Sequence, residues 1–257
     1  MMNDETKIPI SVVVIVKNEE KRLGACLESV RWADDIVIVD DMSTDKTVEI
    51  ARRYTDRVFQ RKMDNEGVHR NYAYSLAKNE WVLSLDADEV ITSELKEEIG
   101  RIVKDDREHV VFAVPLRNYI GKYWVRWGGW YPAYKDRLFR KGRFRYEEAD
   151  VHPRVIYEGR CGRLKGDIIH YSYEDFSEFI SSLNGQTTKE ARKWRATGRR
   201  MSFAKALWRA FDRFYRGYYS KGGRRDGVIG LMVAVNSGFY QILSYAKYWE
   251  SNEKSAP

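Results

Sequence analysis

The sequence predicts an α/β protein built on a doubly wound sheet, and three observations lead there. Short runs of β-branched and other apolar residues recur through the first third of the chain, at 10–16, 36–39, 58–59 and 81–85. Between them lie stretches with apolar residues at helical spacing, such as Leu23, Leu27 and Val30. Acidic residues stand at or just after the ends of these runs: Glu19, then Asp40 and Asp41, then Asp86 and Asp88. Strand and helix in alternation make a parallel sheet, and ligands of such sheets bind beyond the carboxyl ends of the strands.

Taken in order, Ile-Ser-Val-Val-Val-Ile-Val at 10–16 is nearly continuous, as a central strand buried on both faces requires. A helix with Leu23, Leu27 and Val30 on one face follows. Ile36–Val39 is the second strand, and Ser43 is placed to cap a helix carrying Thr47, Val48 and Ile50. Val58-Phe59 is a short third strand, 67–78 a helix, and 81–85 the fourth strand. Asp86, Ala87, Asp88 and Glu89 then admit two readings. They are a helix cap favoured by the dipole, or, since strand residues i and i+2 share a side, two carboxylates facing one hard cation such as Mg or Mn. The first third carries neither GxGxxG nor GxxxxGK[ST], so a nucleotide there is held by carboxylates, a cation and arginine. Arg70 is the arginine for a diphosphate, against a plain reading as a solvated surface residue.

Ser93–Lys104 is a helix with an acidic start, and Val110–Val114 another strand. Residues 117–137 then pack three Trp and four Tyr among Arg and Lys around Gly128-Gly129. Aromatic faces suit sugar rings and the bases suit phosphate, so Trp127, Trp130, Tyr131 and Arg137 are candidates for an acceptor; the plain alternative is a packing loop. Arg137-Leu138-Phe139 and Ile168–Tyr171 are strands, and the segment between them carries Glu147, Glu148, Asp150 and His152. From Asp175 the pattern is helical and basic: 203–219 interleaves Phe203, Leu207, Trp208 and Phe211 with Lys205, Arg209, Arg213 and Arg216, the composition of a membrane-interfacial helix. Residues 227–246 carry no charge, but Asn236, Ser237, Gly238 and Gln241 interrupt them. That favours an interfacial helix over a core helix or a transmembrane span.

The chain has 257 residues and a net charge of +7, which calls for an anionic partner: nucleotide, phosphorylated lipid, membrane surface or nucleic acid. Its two cysteines, Cys26 and Cys161, have no metal-type spacing, and the first ten residues lack an apolar signal core. A reducing cytoplasm is the expected compartment.

The runs SVVVIVKNEE, IVIVDDMSTDKT, HRN and LSLDADE together resemble the inverting family 2 glycosyltransferases of GT-A fold. The later stretches GGWYP, RLFRKGRF, DVHP and IIHYSY resemble the lipopolysaccharide-core β-1,4-glucosyltransferase branch. The resemblance covers roughly residues 8–250. It implies a GT-A mixed sheet over residues 1–174, with a nucleotide-sugar half at about 8–105 and an acceptor half at about 106–174, then a helical membrane-interfacial extension over 175–257. It implies a UDP-linked hexose donor, a divalent cation, a lipid-linked saccharide acceptor and attachment to the inner face of the cytoplasmic membrane, with no nucleic acid as partner. By position, Asp40 corresponds to the uracil carboxylate, with Glu19 and Asp41 beside the same pocket. Arg70 corresponds to the diphosphate arginine, Asp86 to the ribose and metal side of the DxD motif, and Asp88 to its metal ligand.

Two departures stand out. Met42 replaces the usual glycine. Pro153 replaces the glutamate of Val-His-Glu, which leaves Asp150, Glu148 or His152 as the catalytic base. Two other classes remain open on residues alone: a nucleotidyltransferase of similar fold, and a non-catalytic basic module that grips lipid or nucleic acid.

Overall fold

The structure is a computed structural model and describes residues 7–148 and 153–253. The chain divides into two compact units, Met1–Leu116 with Tyr134–His170, and Arg117–Ala133 with Tyr171–Pro257. The expected division at 174/175 had assigned the aromatic segment to the first part of the chain; residues 117–133 instead cluster with the helical segment.

In chain order the elements begin with β1 (Ile8–Val16), α1 (Leu23–Ser29), β2 (Ala33–Asp40), α2 (Thr47–Ala51), β3 (Val58–Gln60) and α3 (Glu66–Ser75). Then come β4 (Trp81–Asp86), β5 (Glu89–Ile91), α4 (Ser93–Asp105), β6 (His109–Ile120), β7 (Tyr123–Trp124) and β8 (Ala133–Arg140). The last are β9 (Phe144–Tyr146), β10 (Val155–Tyr157), β11 (Arg160–Arg163), β12 (Ile168–Tyr173), α5 (Phe176–Ala196), α6 (Phe203–Tyr215) and α7 (Gly227–Glu253).

The first unit is organised by β1. Its Ile10, Val12, Val14 and Val16 pack with Leu23 and Leu27 of α1, while Val13 packs on the other face with Val37, Val39 and Tyr74. Burial on both faces explains the unbroken apolar run, each such side chain contributing about 1.5–3 kcal/mol. The strand order is β3-β2-β1-β4-β8-β6-β12-β5. β1, β2, β3 and β4 are parallel, β8 runs antiparallel to β4, and β5 antiparallel to β12. The doubly wound half was readable from the residues; the mixed sheet is the GT-A arrangement that the resemblance implied.

In the second unit the end of β6 turns back on β7, and three helices follow. Asp175 caps α5 by accepting from the Glu178 amide, and Ser202 caps α6 by accepting from the Lys205 amide. α7 packs on its neighbours through polar contacts: Arg209 donates to Gln241 at 2.8 Å, and Lys247 donates to Thr187 at 2.9 Å. One helix among the described residues, Gly223–Asn252, is long and apolar enough to cross a membrane. Its buried Asn236, Gln241 and Ser244 face protein, so those positions belong to a helical bundle.

Candidate active site

Register brings the acidic strand ends together. Val16 of β1 lies opposite Asp40 of β2, and Ile15 opposite Asp86 of β4, so both aspartates stand at the same end of the two parallel strands that flank β1.

The β1 and β2 ends are tied to each other by their loops. Asn18 accepts from the Thr44 amide at 2.8 Å, the Asn18 amide donates to Ser43 Oγ at 2.8 Å, and the Glu19 amide donates to Thr47 Oγ1 at 2.7 Å. Asp40 is fully buried. Its Oδ2 accepts from the Ser43 amide at 3.1 Å and from Gln60 Nε2 at 3.0 Å, whereas Oδ1 has no partner among the described residues. A buried carboxylate oxygen left unpaired costs on the order of 1–3 kcal/mol, so it marks a place where a ligand N–H fits. Asp41 differs. Its Oδ2 accepts from Lys17 at 2.8 Å and its Oδ1 from the Met63 amide at 2.8 Å, so it braces the pocket's loops. Lys17 and the Met63 amide thus outweigh the cost of its burial and hold the Asp41 carboxyl below the usual range. Met42 adopts the left-handed conformation, with φ 54°. The turn thus keeps a conformation that glycine adopts freely, with the cost of the Met42 Cβ borne by the backbone and the side chain exposed.

α3 starts at Asn65, whose side chain accepts from the Val68 amide at 3.0 Å. It presents His69, Arg70 and Asn71 in succession. Arg70 pairs with Glu66 at 3.2 Å and lies 5.3 Å from the Tyr146 ring. Although burial opposes its charge, Tyr74 and Asp86 favour it, and its pKa is raised. Arg70 is therefore a cation of this cluster and not a solvated surface residue. His69 is fully buried, and neither ring nitrogen has a partner among the described residues; its pKa is lowered, chiefly by burial. Asn71 clamps β9 in both directions, donating to the Tyr146 carbonyl at 2.9 Å and accepting from the Tyr146 amide at 2.8 Å.

At the end of β4 the structure departs from the expected strand alternation. Asp86 closes the strand, Ala87 and Asp88 form a turn, and β5 begins at Glu89. The two aspartates consequently take different partners. Asp86 Oδ2 pairs with Arg137 Nη2 at 2.5 Å, and the same nitrogen pairs with Glu89. Asp88 Oδ2 lies 3.3 Å from His170 Nε2. Arg137 was expected on the acceptor surface; it is buried between carboxylates because β8 lies beside β4. Burial would raise the Asp86 carboxyl, but Arg137 and Arg70 more than offset that and hold it well below the usual range. Glu89 has no exposure at all, and burial pushes its pKa up despite Arg137. Burial works against the charged His170, yet the Asp88 carboxylate wins and its pKa is raised.

Among the described residues no group of three or more His, Cys, Asp or Glu gathers as an all-protein metal site. Asp88 and His170 supply one carboxylate and one imidazole. That pair fits a divalent cation that takes its other ligands from phosphate oxygens and water. Asp86 Oδ2 is taken by Arg137, whereas the partner of Asp88 is His170. His170 and Glu89 escaped the sequence reading as site residues. IIHYSY had marked only a strand, and the β5–β12 register that sets His170 opposite Glu89 is not visible in one sequence.

Glu148 is exposed, and Glu147 pairs with Arg154 at 3.1 Å. Asp150 and His152 lie outside the described residues. Trp127, Trp130 and Tyr131 belong to the second unit. There Trp130 packs 6.0 Å from Phe179, Tyr131 meets the edge of Trp124 at 5.2 Å, and Trp127 lies under Arg225 at 4.4 Å.

The family model of glycosyl transferase family 2 matches residues 11–157, the stretch that carries the acidic strand ends. The chain belongs to that family. It is similar to the lipopolysaccharide core biosynthesis glycosyltransferase LpsC of Rhizobium meliloti (strain 1021), 28% identical over 97% of this chain and 95% of LpsC. It is also similar to the uncharacterized glycosyltransferase RC0292 of Rickettsia conorii, 25% identical over 99% and 94% of the two chains. Among solved structures, S. aureus TarS 1–349 in complex with UDP is 16% identical with a TM-score of 0.48, over 96% of this chain and 92% of that one. Family membership decides among the three classes left open by the residues: the chain is a nucleotide-sugar glycosyltransferase of GT-A type, not a nucleotidyltransferase or a non-catalytic module.

Proposed function

We propose that the enzyme moves a hexose from a UDP-sugar, with inversion, to a hydroxyl of a lipid-linked or lipopolysaccharide-core saccharide at the inner face of the cytoplasmic membrane. The observation that carries the donor half is the unpaired, buried Oδ1 of Asp40 at the end of β2, level with Asp86 at the end of β4. A uracil N3–H is a donor that such an oxygen accepts. The likeness to LpsC over nearly the whole chain supports the acceptor class.

Each residue of the cluster then has a task. Asp40 reads the base, with Glu19 beside it on a loop fixed by Thr47. Asp41 holds the walls. Arg70 meets the diphosphate, where a guanidinium stabilises the charge that grows as the sugar departs. Asp86, oriented by Arg137, faces the ribose side. Asp88 and His170 would hold Mg or Mn; when bound, that cation supplies Lewis-acid stabilisation of the leaving diphosphate. The acceptor hydroxyl loses its proton to a group from the segment after β9, Glu148, Asp150 or His152. Asn71 anchors the start of that segment. The attacking oxygen approaches the anomeric carbon opposite the diphosphate, and no covalent enzyme intermediate is formed.

Attachment to anionic lipid is supported by α6, where Phe203, Leu207, Trp208 and Phe211 are all exposed, with Lys205, Arg209 and Arg213 on the same helix. Each cation near an anionic surface adds about 1 kcal/mol. The test of the catalytic reading is Asp88→Ala. Transfer from a UDP-hexose, followed as UDP release with Mn present, is expected to fall at least a hundredfold, while UDP still binds in the absence of metal. Transfer near the wild-type rate would remove Asp88 from the metal.

A further inference from the structure

The second unit contains a cavity of its own. It has a volume of about 340 Å³ and is walled by Tyr119, Lys122, Tyr123, Trp124, Arg126 and Asp226, with Ile229 beneath. That volume is near the lower end of the range for small-molecule sites, about 300–1,000 Å³.

The walls are built from a clamped hairpin. Tyr119 pairs with Trp124 and Ile120 with Tyr123, and the turn at Gly121, with φ 56°, is pinned by its amide to the Tyr173 carbonyl at 2.8 Å. The Val125 amide donates to the Asn118 carbonyl at 3.0 Å, and Asp226 Oδ2 accepts from the Trp127 amide at 2.8 Å. A site held this way is largely formed before its ligand arrives.

Its chemistry is specific. Arg126 lies over the Trp124 ring at 4.3 Å, and Lys122 lies 5.7 Å from the Tyr123 ring. Among the described residues neither cation pairs with a carboxylate, and Trp124 Nε1 is buried with no hydrogen-bond partner. The sole carboxylate on the walls is Asp226, so the cavity carries a surplus of positive charge. Two cations and an unspent N–H call for an anionic group. Tyr faces call for a pyranose ring, and a carboxylate calls for its hydroxyls. Lipid tails do not fit these polar walls.

We propose that this cavity is a subsite for an anionic sugar residue of the acceptor, a pyranose bearing a phosphate or a carboxylate. Lys122 and Arg126 hold the charged group, the exposed Tyr123 packs against the ring, and Asp226 takes a hydroxyl. The inference rests on the reading of the chain as a transferase to a saccharide.

The experiment is calorimetric titration of the full chain with glucose 6-phosphate, glucuronate, glucose and inorganic phosphate, with UDP titrated separately. At least one charged sugar is expected to bind about tenfold or more tighter than both glucose and inorganic phosphate, and the phosphate and carboxylate arms tell which anion is preferred. Lys122→Met and Arg126→Met are each expected to weaken that sugar about tenfold and leave UDP affinity unchanged, and Arg126→Lys to recover part of the loss. Equal affinity for glucose and the charged sugars overturns the proposal. So does phosphate binding as tightly as the sugar phosphate, or charged-sugar binding indifferent to both variants. Loss of UDP binding in the wild type would instead strike at the donor reading, so the two failures are separable.

Discussion

Asp40→Asn tests the nucleotide pocket with a change of one atom. In the wild type, Oδ2 is occupied by the Ser43 amide and Gln60, and Oδ1 waits unpaired in a buried position. Asparagine keeps its oxygen on the Ser43 and Gln60 donors, because its NH2 would clash with both. The NH2 therefore faces the base. A charged acceptor of a uracil N3–H is replaced by a donor, which loses about 1.5–3 kcal/mol of charge-assisted bonding and leaves two buried N–H groups facing each other. A total of about 3 kcal/mol corresponds to roughly a hundredfold in Kd. The fold should survive, since the substitution removes an isolated buried charge and retains both internal hydrogen bonds. The assay is calorimetric titration with UDP and CDP side by side. Cytosine carries an unprotonated N3, an acceptor, at the same position, so the variant should lose UDP affinity while its preference moves toward CDP. A UDP affinity within threefold of wild type, or a UDP-to-CDP ratio that does not move, refutes the assignment of Asp40 to the base.

Two further predictions concern other parts of the molecule. Asp35 is buried in β2, accepting from Ser11 at 2.6 Å, from the Lys78 amide at 3.0 Å and from Arg57 at 2.5 Å. Burial would raise its pKa, but these donors outweigh burial and lower it. A depressed folded-state pKa means stability that is present above the unfolded value, about 3.9, and lost as pH falls toward the folded one. Asp35→Asn should cost roughly 2 kcal/mol at pH 7 in urea unfolding and flatten the acid limb below about pH 4; parallel wild-type and variant limbs would count against the network. In α6, Trp208 and Phe211 are 66% and 67% exposed. Replacing both with serine should remove about 3 kcal/mol of lipid burial, roughly a hundredfold in sedimentation with anionic vesicles, with UDP binding untouched. Undiminished sedimentation would place the lipid contact elsewhere.

The legible parts of this fold are those whose signal is local. β1, β2 and β4 announce themselves because strands buried on both faces admit almost nothing polar. β5, β9, β10 and β11 are strands of three or four residues whose existence depends on partners far along the chain, so composition is mute about them. The site divides the same way. Asp40, Asp86 and Asp88 follow strands that can be read directly. Arg137, Glu89 and His170 reach the site through the β4–β8 and β5–β12 pairings, which no single stretch encodes. Arg137 was drawn into the aromatic group only because it is adjacent in sequence, and its burial became visible once β8 lay beside β4.

This arrangement also accounts for why two aspartates separated by one residue take different partners. On a continued strand they would have faced one cation together, and their mutual repulsion would have raised one pKa. The turn at Ala87-Asp88 breaks that equivalence. Arg137 pairs with both Asp86 and Glu89, and burial pushes the Glu89 pKa up. Asp88 is left with a histidine, a partner that a metal can displace or share, where Asp86 has a guanidinium, which cannot ligate. In the proposed reading, Arg70 and a cation held by Asp88 and His170 would meet the charge of the diphosphate, while Arg137 holds Asp86 Oδ2. That difference in partners is the physical ground for proposing Asp88 rather than Asp86 as the metal ligand.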